Sequence, residues 1–393
     1  MSVLKSCFPG TRRGRIATLL AAVFVLTTGW PSLAQTSVEE GAAGVRSAPA
    51  VSTSGARARA IDEARKVCQG LHERLSLPGL SAAVAAGGEV VWAEGFGQAD
   101  LENPTRVTPK TRFRIGSLSK LLTVAAVARL VDEGMLDLDE DVRTYVPYFP
   151  EKKWKLTTRQ LCSHTAGIRH YGPKDGLEGN PRFETVKDGI AIFADDPLLF
   201  EPGTAHAYSS YGYNLVSAVV EGASGKGFLV YLDEAVCRPL GLFSTAADDN
   251  RAIVVHRAGF YHVNEDGSVI NVPYVDNSYK WAGGGLLSSP TDLARLALAH
   301  LGPGFLSDKA RREVFTPVPG ARSSDYAVGL GWRVGKDADG RTLYHHGGSI
   351  AGGRAQIVVY PDQGVVAVLM ANTFTRFGLD EARAVARGFL GEE

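Results

Sequence analysis

Apolar residues at helical spacing give way to short strand-like runs near both ends of the chain, and that layout outlines a fold. Ile61 to Leu77 repeats apolar positions with a helical period. Gly79 to Ala86 and Glu89 to Gly97 then read as two strands joined at Gly87-Gly88, a hairpin signal. At the far end, Arg341 to His346, Arg354 to Tyr360 and Gly364 to Ala371 predict three more strands, with a turn at Pro361-Asp362-Gln363-Gly364 and a closing helix over Asp380 to Leu390. The long middle is helical and loop sequence. Leu121 to Leu136 is rich in Leu, Val and Ala and, Gly134 apart, free of Gly and Pro, which predicts a helix beginning near Ser117. Leu215 to Glu221 predicts another, while Tyr171 to Pro181 and Pro197 to Gly203 break the middle into short pieces. No internal repeat appears.

The first residues change this picture only by being set aside. Lys5, Arg12, Arg13 and Arg15 precede the apolar run Ile16 to Val25, and Ser32-Leu33-Ala34 follows as a small-x-small site, so residues 1–34 read as an export signal. The run is shorter than the roughly 20 residues a membrane span needs. The expected mature chain starts near Gln35, without a stable membrane span, in the periplasm or outside the cell. Residues 35–59, mostly Ala, Ser, Gly and Val, suit a disordered linker, and residues 60–393 form the folded part. The chain carries 42 basic and 42 acidic residues. That balance gives no pull toward nucleic acid. Cys68, Cys162 and Cys237 remain after processing, an odd number that excludes a disulfide scaffold. Cys162, in an apolar helical stretch, reads as buried packing.

Candidate chemistry concentrates at three places. Ser117-Leu118-Ser119-Lys120 puts a hydroxyl and an amine three residues apart where an apolar helix begins, on one face of that helix. A serine is a weak nucleophile until a neighbour takes its proton, and a lysine does so once burial or nearby positive charge lowers its pKa. The spacing alone also occurs at Ser2-Val3-Leu4-Lys5, so its weight comes from its company. Tyr208 sits in a polar-aromatic run just before a helix, either as a proton shuttle tuned by a nearby ammonium or as an aromatic packing residue. His345-His346-Gly347-Gly348-Ser349 precedes a strand. Its glycines either let a substrate backbone reach a strand edge, with a backbone N–H aimed at an oxyanion, or form a plain flexible bend. The histidine pair is not read as a metal site, since adjacent strand residues face opposite ways, and no metal or other cofactor is expected.

Together these three elements resemble the serine beta-lactamase and penicillin-binding-protein family, most closely its class C, LACTB-like and esterase branch. That family carries Ser-x-x-Lys, Tyr-x-Asn and Lys/His-x-Gly in this order, matched here by Ser117 to Lys120, Tyr208 to Ser210 and His346 to Gly348. Gly95 to Asp100, Leu161 to Gly167 and Ala282 to Ser288 resemble it as well, and the resemblance covers nearly all of the chain after the linker. It implies an α/β (α+β) beta-lactamase/transpeptidase-like fold: a five-stranded antiparallel sheet built from both chain ends and flanked by helices, with a sheet lobe over about 60–115 and 280–393 and a mainly helical lobe over about 116–279. It also implies acyl transfer, with Ser117 as nucleophile and Lys120 and Tyr208 handling its proton. The N–H groups of Ser117 and Ser349 would hold the oxyanion, and Ser210, His346 and Gly348 would contact substrate.

Two residues depart from the pattern. Ser210 stands where asparagine is usual, which loses or shortens one contact to substrate or Lys120. His346 stands where many members have lysine, so a substrate carboxylate would be held less firmly, and activity on acidic substrates would weaken above about pH 6.5. The implied function is an exported esterase or peptidase/amidase acting on a small-molecule or peptide substrate. The alternatives are a class C-type beta-lactamase or D,D-peptidase acting on cell-wall peptides, and a non-catalytic, self-associating scaffold with this fold.

Overall fold

The two chain ends do meet in one sheet, and its central strands are buried on both faces. The computed structural model describes residues 54–391, apart from 174, 176, 178 and 179. The expected export signal and most of the expected linker lie outside the described residues. The first helix, α1, spans Ser54–Arg74. It starts ahead of the boundary drawn at residue 60, because the Ala- and Arg-rich stretch that composition assigns to a linker also favours helix.

Five long antiparallel strands form the centre of the sheet: β1 (Gly79–Ala86), β2 (Glu89–Asp100), β6 (Thr342–Ile350), β7 (Gly353–Tyr360) and β8 (Val365–Ala371). Three short ones extend it, β3 (Thr105–Arg106), β4 (Ala327–Val328) and β5 (Arg333–Lys336). The order is β3-β2-β1-β8-β7-β6-β5-β4. The five expected strands are therefore the middle of an eight-stranded sheet, whose added edges are too short to leave an alternating signature. The closure of the two ends is the β1–β8 ladder, with Leu80 opposite Ala371 and Val84 opposite Ala367.

Alternation splits each central strand between two cores. Leu80, Ala82, Val84, Val358, Ala367 and Leu369 pack with Cys68 and Leu71 of α1 and with Ala382 and Val385 of α5 (Leu379–Ala386). Ala83, Ala85, Ile357, Val359, Val366 and Val368 pack on the other side against the helices of the middle segment. Burial on both faces is why these strands read as nearly continuous apolar runs. Helix α2 (Ser119–Asp132) is buried almost all round, and α3 (Ser210–Ser224) and α4 (Pro290–Leu301) pack in the same core. The described residues from Ser54 onward form one compact unit. Among the described residues no single helix is long and apolar enough to cross a membrane.

A small second sheet positions the site. Phe113–Arg114 pairs with Leu286–Ser288, which also pairs with Ala246–Ala247. This pairing brings the turn before α2 beside the glycine run 283–285. Arg114 locks it with a buried ion pair to Asp248 (2.7 Å) and a hydrogen bond to the Ala351 carbonyl (3.0 Å).

Candidate active site

Ser117 lies in a single 3-10 turn, Gly116–Leu118, and the α-helix proper starts two residues later. Gly116 makes the turn possible with φ of +50°, and a Cβ there would come within 2.8 Å of the Ser349 nitrogen. Gly348 is as tightly constrained: a Cβ on it would sit 1.9 Å from the Ile115 carbonyl oxygen. The strand carrying His346-Gly347-Gly348-Ser349 thus lies directly against the Ser117 turn. These glycines are inside β6, which runs on to Ile350 instead of ending at His346. Pairing with β5 stops at His345 opposite Arg333, so residues 346–350 present an open edge with the Ser117 and Ser349 nitrogens close by.

The Ser117 hydroxyl accepts hydrogen bonds from Tyr208 Oη (2.7 Å) and Lys120 Nζ (3.3 Å). Lys120 is fully buried and also donates to Ser210 Oγ (3.1 Å) and the Gly283 carbonyl (2.5 Å). The serine at position 210 therefore keeps a contact to Lys120, where the shorter side chain was expected to lose or shorten one. Burial lowers the Lys120 pKa, and Tyr208 offsets part of that loss. Burial alone would raise the Tyr208 phenol, but the Lys120 ammonium and the bond to Ser117 outweigh it and hold the phenol below its ordinary value. Two groups that both give up a proton more readily than usual and share a hydroxyl can pass a proton between them.

Tyr208 is held on its loop by two histidines that sequence reasoning missed. The His164 ring packs on it at 4.3 Å between centroids and accepts the Ser209 N–H at Nδ1 (3.2 Å). His170 meets it edge-on at 5.6 Å and accepts the Ser210 N–H (3.1 Å). Both rings use a lone pair, and burial together with Lys120 keeps both below the usual imidazole pKa. The sequence signal for His164 was the stretch Leu161 to Gly167, noted only as a flank, and His170 lies just beyond it.

His346 is placed at the site but cannot hold a carboxylate as a cation. It is 1% exposed, and burial, Arg333 and Lys120 push its pKa well below 6.5. The imidazole is neutral throughout the physiological range, so the expected weakening above pH 6.5 has no group to cause it. The permanent cation is Arg333, which sequence reasoning also missed. Its guanidinium stacks on Tyr326 at 4.6 Å, and it depresses Lys120, Tyr208, His164 and His346 alike. Among the described residues it has no carboxylate partner. Cys162 is buried and free, with burial raising its thiol to about 12, which fits packing and not nucleophilic attack.

Comparison with known proteins bears on the family and the fold. The family model described as Beta-lactamase matches residues 64–390. The mitochondrial serine beta-lactamase-like protein LACTB of Homo sapiens is 32% identical, covering 80% of this chain and 74% of its own. Among solved structures, SurE superposes with a TM-score of 0.72 at 28% identity over 85% of this chain and 75% of that one. EstCE1, a hydrolase with promiscuous acyltransferase activity, reaches a TM-score of 0.74 at 21% identity, covering 86% and 100%, and speaks for the fold.

Proposed function

The chain belongs to the beta-lactamase family and is a serine hydrolase of that fold, and from that premise we propose that it is an exported esterase or peptidase/amidase acylated on Ser117. The observation that carries the reading is the Ser117 hydroxyl, bonded to both Tyr208 and Lys120, in a turn packed directly against the Gly348-Ser349 strand.

In this reading Ser117 Oγ attacks the substrate carbonyl carbon as its proton passes into the Tyr208–Lys120 pair. The carbonyl oxygen becomes an oxyanion held by the Ser117 and Ser349 N–H groups, donors whose individual loss typically costs about 2.7 to 4 kcal/mol of barrier. Collapse breaks the bond to the leaving group, which departs with the proton returned by Tyr208. Water then attacks the acyl-enzyme by the same route, giving the free acid and restoring Ser117. Arg333 favours one branch of this chemistry, a peptide or amide with a carboxylate on its leaving-group side, because it supplies the cation that His346 does not.

One experiment tests the reading. The full-length chain is expressed in a Gram-negative host and recovered from the periplasm, where an N-terminus near Gln35 is expected. Wild type and Ser117→Ala are then assayed on a chromogenic cephalosporin, a short-chain nitrophenyl ester and a D-alanyl-D-alanine peptide. Turnover and an acyl adduct by intact mass are expected in wild type only. Equal rates in both proteins would overturn the assignment of Ser117, and a chain found only in the cytoplasm would overturn export.

A further inference from the structure

A second lysine stands at the lip of the same site. Lys280 closes the 3-10 turn Ser278–Lys280, and that turn is firmly held. Asn214 donates to the Tyr279 carbonyl (2.7 Å), Phe183 N–H donates to Ser278 Oγ (2.8 Å), and Lys280 N–H donates to the Asn277 carbonyl (3.1 Å). Three residues on, Gly283 gives its carbonyl to Lys120. The Lys280 ammonium lies 5.1 Å from the Tyr279 ring centre and 5.8 Å from that of Tyr171. Among the described residues it has neither an ion-pair partner nor a hydrogen-bond acceptor. The acid that acts on it, Asp248, is already taken by Arg114 (2.7 Å) and by Asn277 (2.7 Å).

The position of this cation relative to Arg333 gives it meaning. Arg333 lies on β5 opposite His345, on the strand side of the site, and lowers both Tyr208 and Lys120, whereas Lys280 packs on Tyr171, whose ring stacks on His170 at 4.4 Å, and is itself lowered by Lys120. They reach the site from different elements, Arg333 from β5 and Lys280 from the turn that leads into Gly283. Tyr208 returns the proton to the leaving group, so the leaving group belongs on the Tyr208 and Arg333 side. The Lys280 side, past Ser210 and His170, receives the acyl portion.

We propose that Lys280 is an anion subsite on the acyl side of the groove, so that the enzyme takes substrates whose acyl portion carries a carboxylate a few bonds from the scissile carbonyl. The proposal rests on the reading of Ser117 as the acylated nucleophile. The half-buried ammonium has donors to spare, and a carboxylate arriving there gains charge-assisted hydrogen bonds with two aromatic walls already in place. Burial, Arg114 and Lys120 bring its pKa down to about 8, with His170, Tyr171, Tyr279 and Asp248 as the other titratable groups around it. The preference is therefore present at pH 7 and fades as pH rises through about 8.

The test compares two 4-nitrophenyl esters, the glutaric acid monoester with an anionic acyl chain and the neutral valerate. The readout is the ratio of kcat/KM for the anionic over the neutral ester in wild type, Lys280→Gln and Lys280→Arg. Lys280→Gln is expected to lower the ratio about tenfold or more, while Lys280→Arg keeps it and removes its decline above pH 8. Glutarate binding to Ser117→Ala, with and without Lys280→Gln, is measured by calorimetry and needs no turnover. Ester cleavage with the same ratio in wild type and Lys280→Gln overturns the subsite and leaves the hydrolase standing. No cleavage, with glutarate binding that depends on Lys280, does the reverse. Neither cleavage nor Lys280-dependent binding overturns both.

Discussion

Gly348→Ala is a one-methyl change whose cost follows from a distance. The new Cβ would stand 1.9 Å from the Ile115 carbonyl oxygen and 3.2 Å from the Ser117 nitrogen. Ile115 cannot yield easily, since it is fully buried and its N–H donates to the Leu286 carbonyl (3.2 Å). Strand β6 must therefore retreat by about 1.5 Å to restore ordinary contact, and it carries Ser349 with it. Displacing a reacting group by about 1 Å can cost ~100-fold in rate, and loss of one oxyanion donor costs about 100- to 1000-fold in kcat. Gly347→Ala on the same strand is the control. Its only approach under 3 Å would be to Gln356 Oε1 at 2.8 Å, the end of a side chain and not backbone. The assay is kcat/KM on a short-chain nitrophenyl ester, with thermal unfolding to show that both variants fold. Gly348→Ala is expected to lose at least about 100-fold and Gly347→Ala no more than about threefold. If Gly348→Ala keeps a third of the activity, or if both variants lose equally, the strand does not hold the oxyanion.

Two further predictions concern protons. Tyr208→Phe keeps the ring between His164 and His170 but removes the 2.7 Å bond to Ser117; kcat/KM is expected to fall about 100- to 10,000-fold with little change in melting temperature, and a loss under threefold would remove Tyr208 from the proton path. His300 is fully buried, and burial holds its pKa at about 4. Below pH 6.5 the unfolded chain takes a proton there that the folded one refuses, so stability present above 6.5 is lost as pH falls toward 4, at up to about 1.4 kcal/mol per pH unit. Chemical denaturation between pH 7.5 and 5 should show a shallower fall for His300→Gln, and parallel curves would refute that source.

How much of this was legible in the sequence depended on how local each feature is. Ser117 and Lys120 are one turn apart, so their pairing is written in the spacing. Tyr208 was legible from its place before a helix and from the resemblance to a family motif. Of the five long strands, β1, β7 and β8 were legible because burial on both faces gives nearly unbroken apolar runs. The edge strands Thr105–Arg106 and Ala327–Val328 are two residues long, which leaves no periodicity to detect. Arg333 was missed because nothing marks it locally; its importance arises when β5 sets it opposite His345. The error over His346 has the same root. Its residue type predicted a titration near 6.5, and only the fold shows that it is buried beside two cations.

The charges around Ser117 share one sign. Lys120, Arg333 and Lys280 surround it, and the imidazoles of His164, His170 and His346 are kept from adding to them by burial and by those same cations. Among the described residues no carboxylate contacts Ser117, Lys120 or Tyr208. An ammonium buried without a counter-ion costs the folded state several kcal/mol, and a scaffold that had merely kept the fold would gain nothing in return. The field instead favours negative charge that exists only during reaction, on the phenol oxygen of Tyr208 and on the tetrahedral oxyanion. It also explains why Arg333 and Lys280 lack protein partners: a substrate that brings its own carboxylates completes the balance, and a neutral one leaves it open.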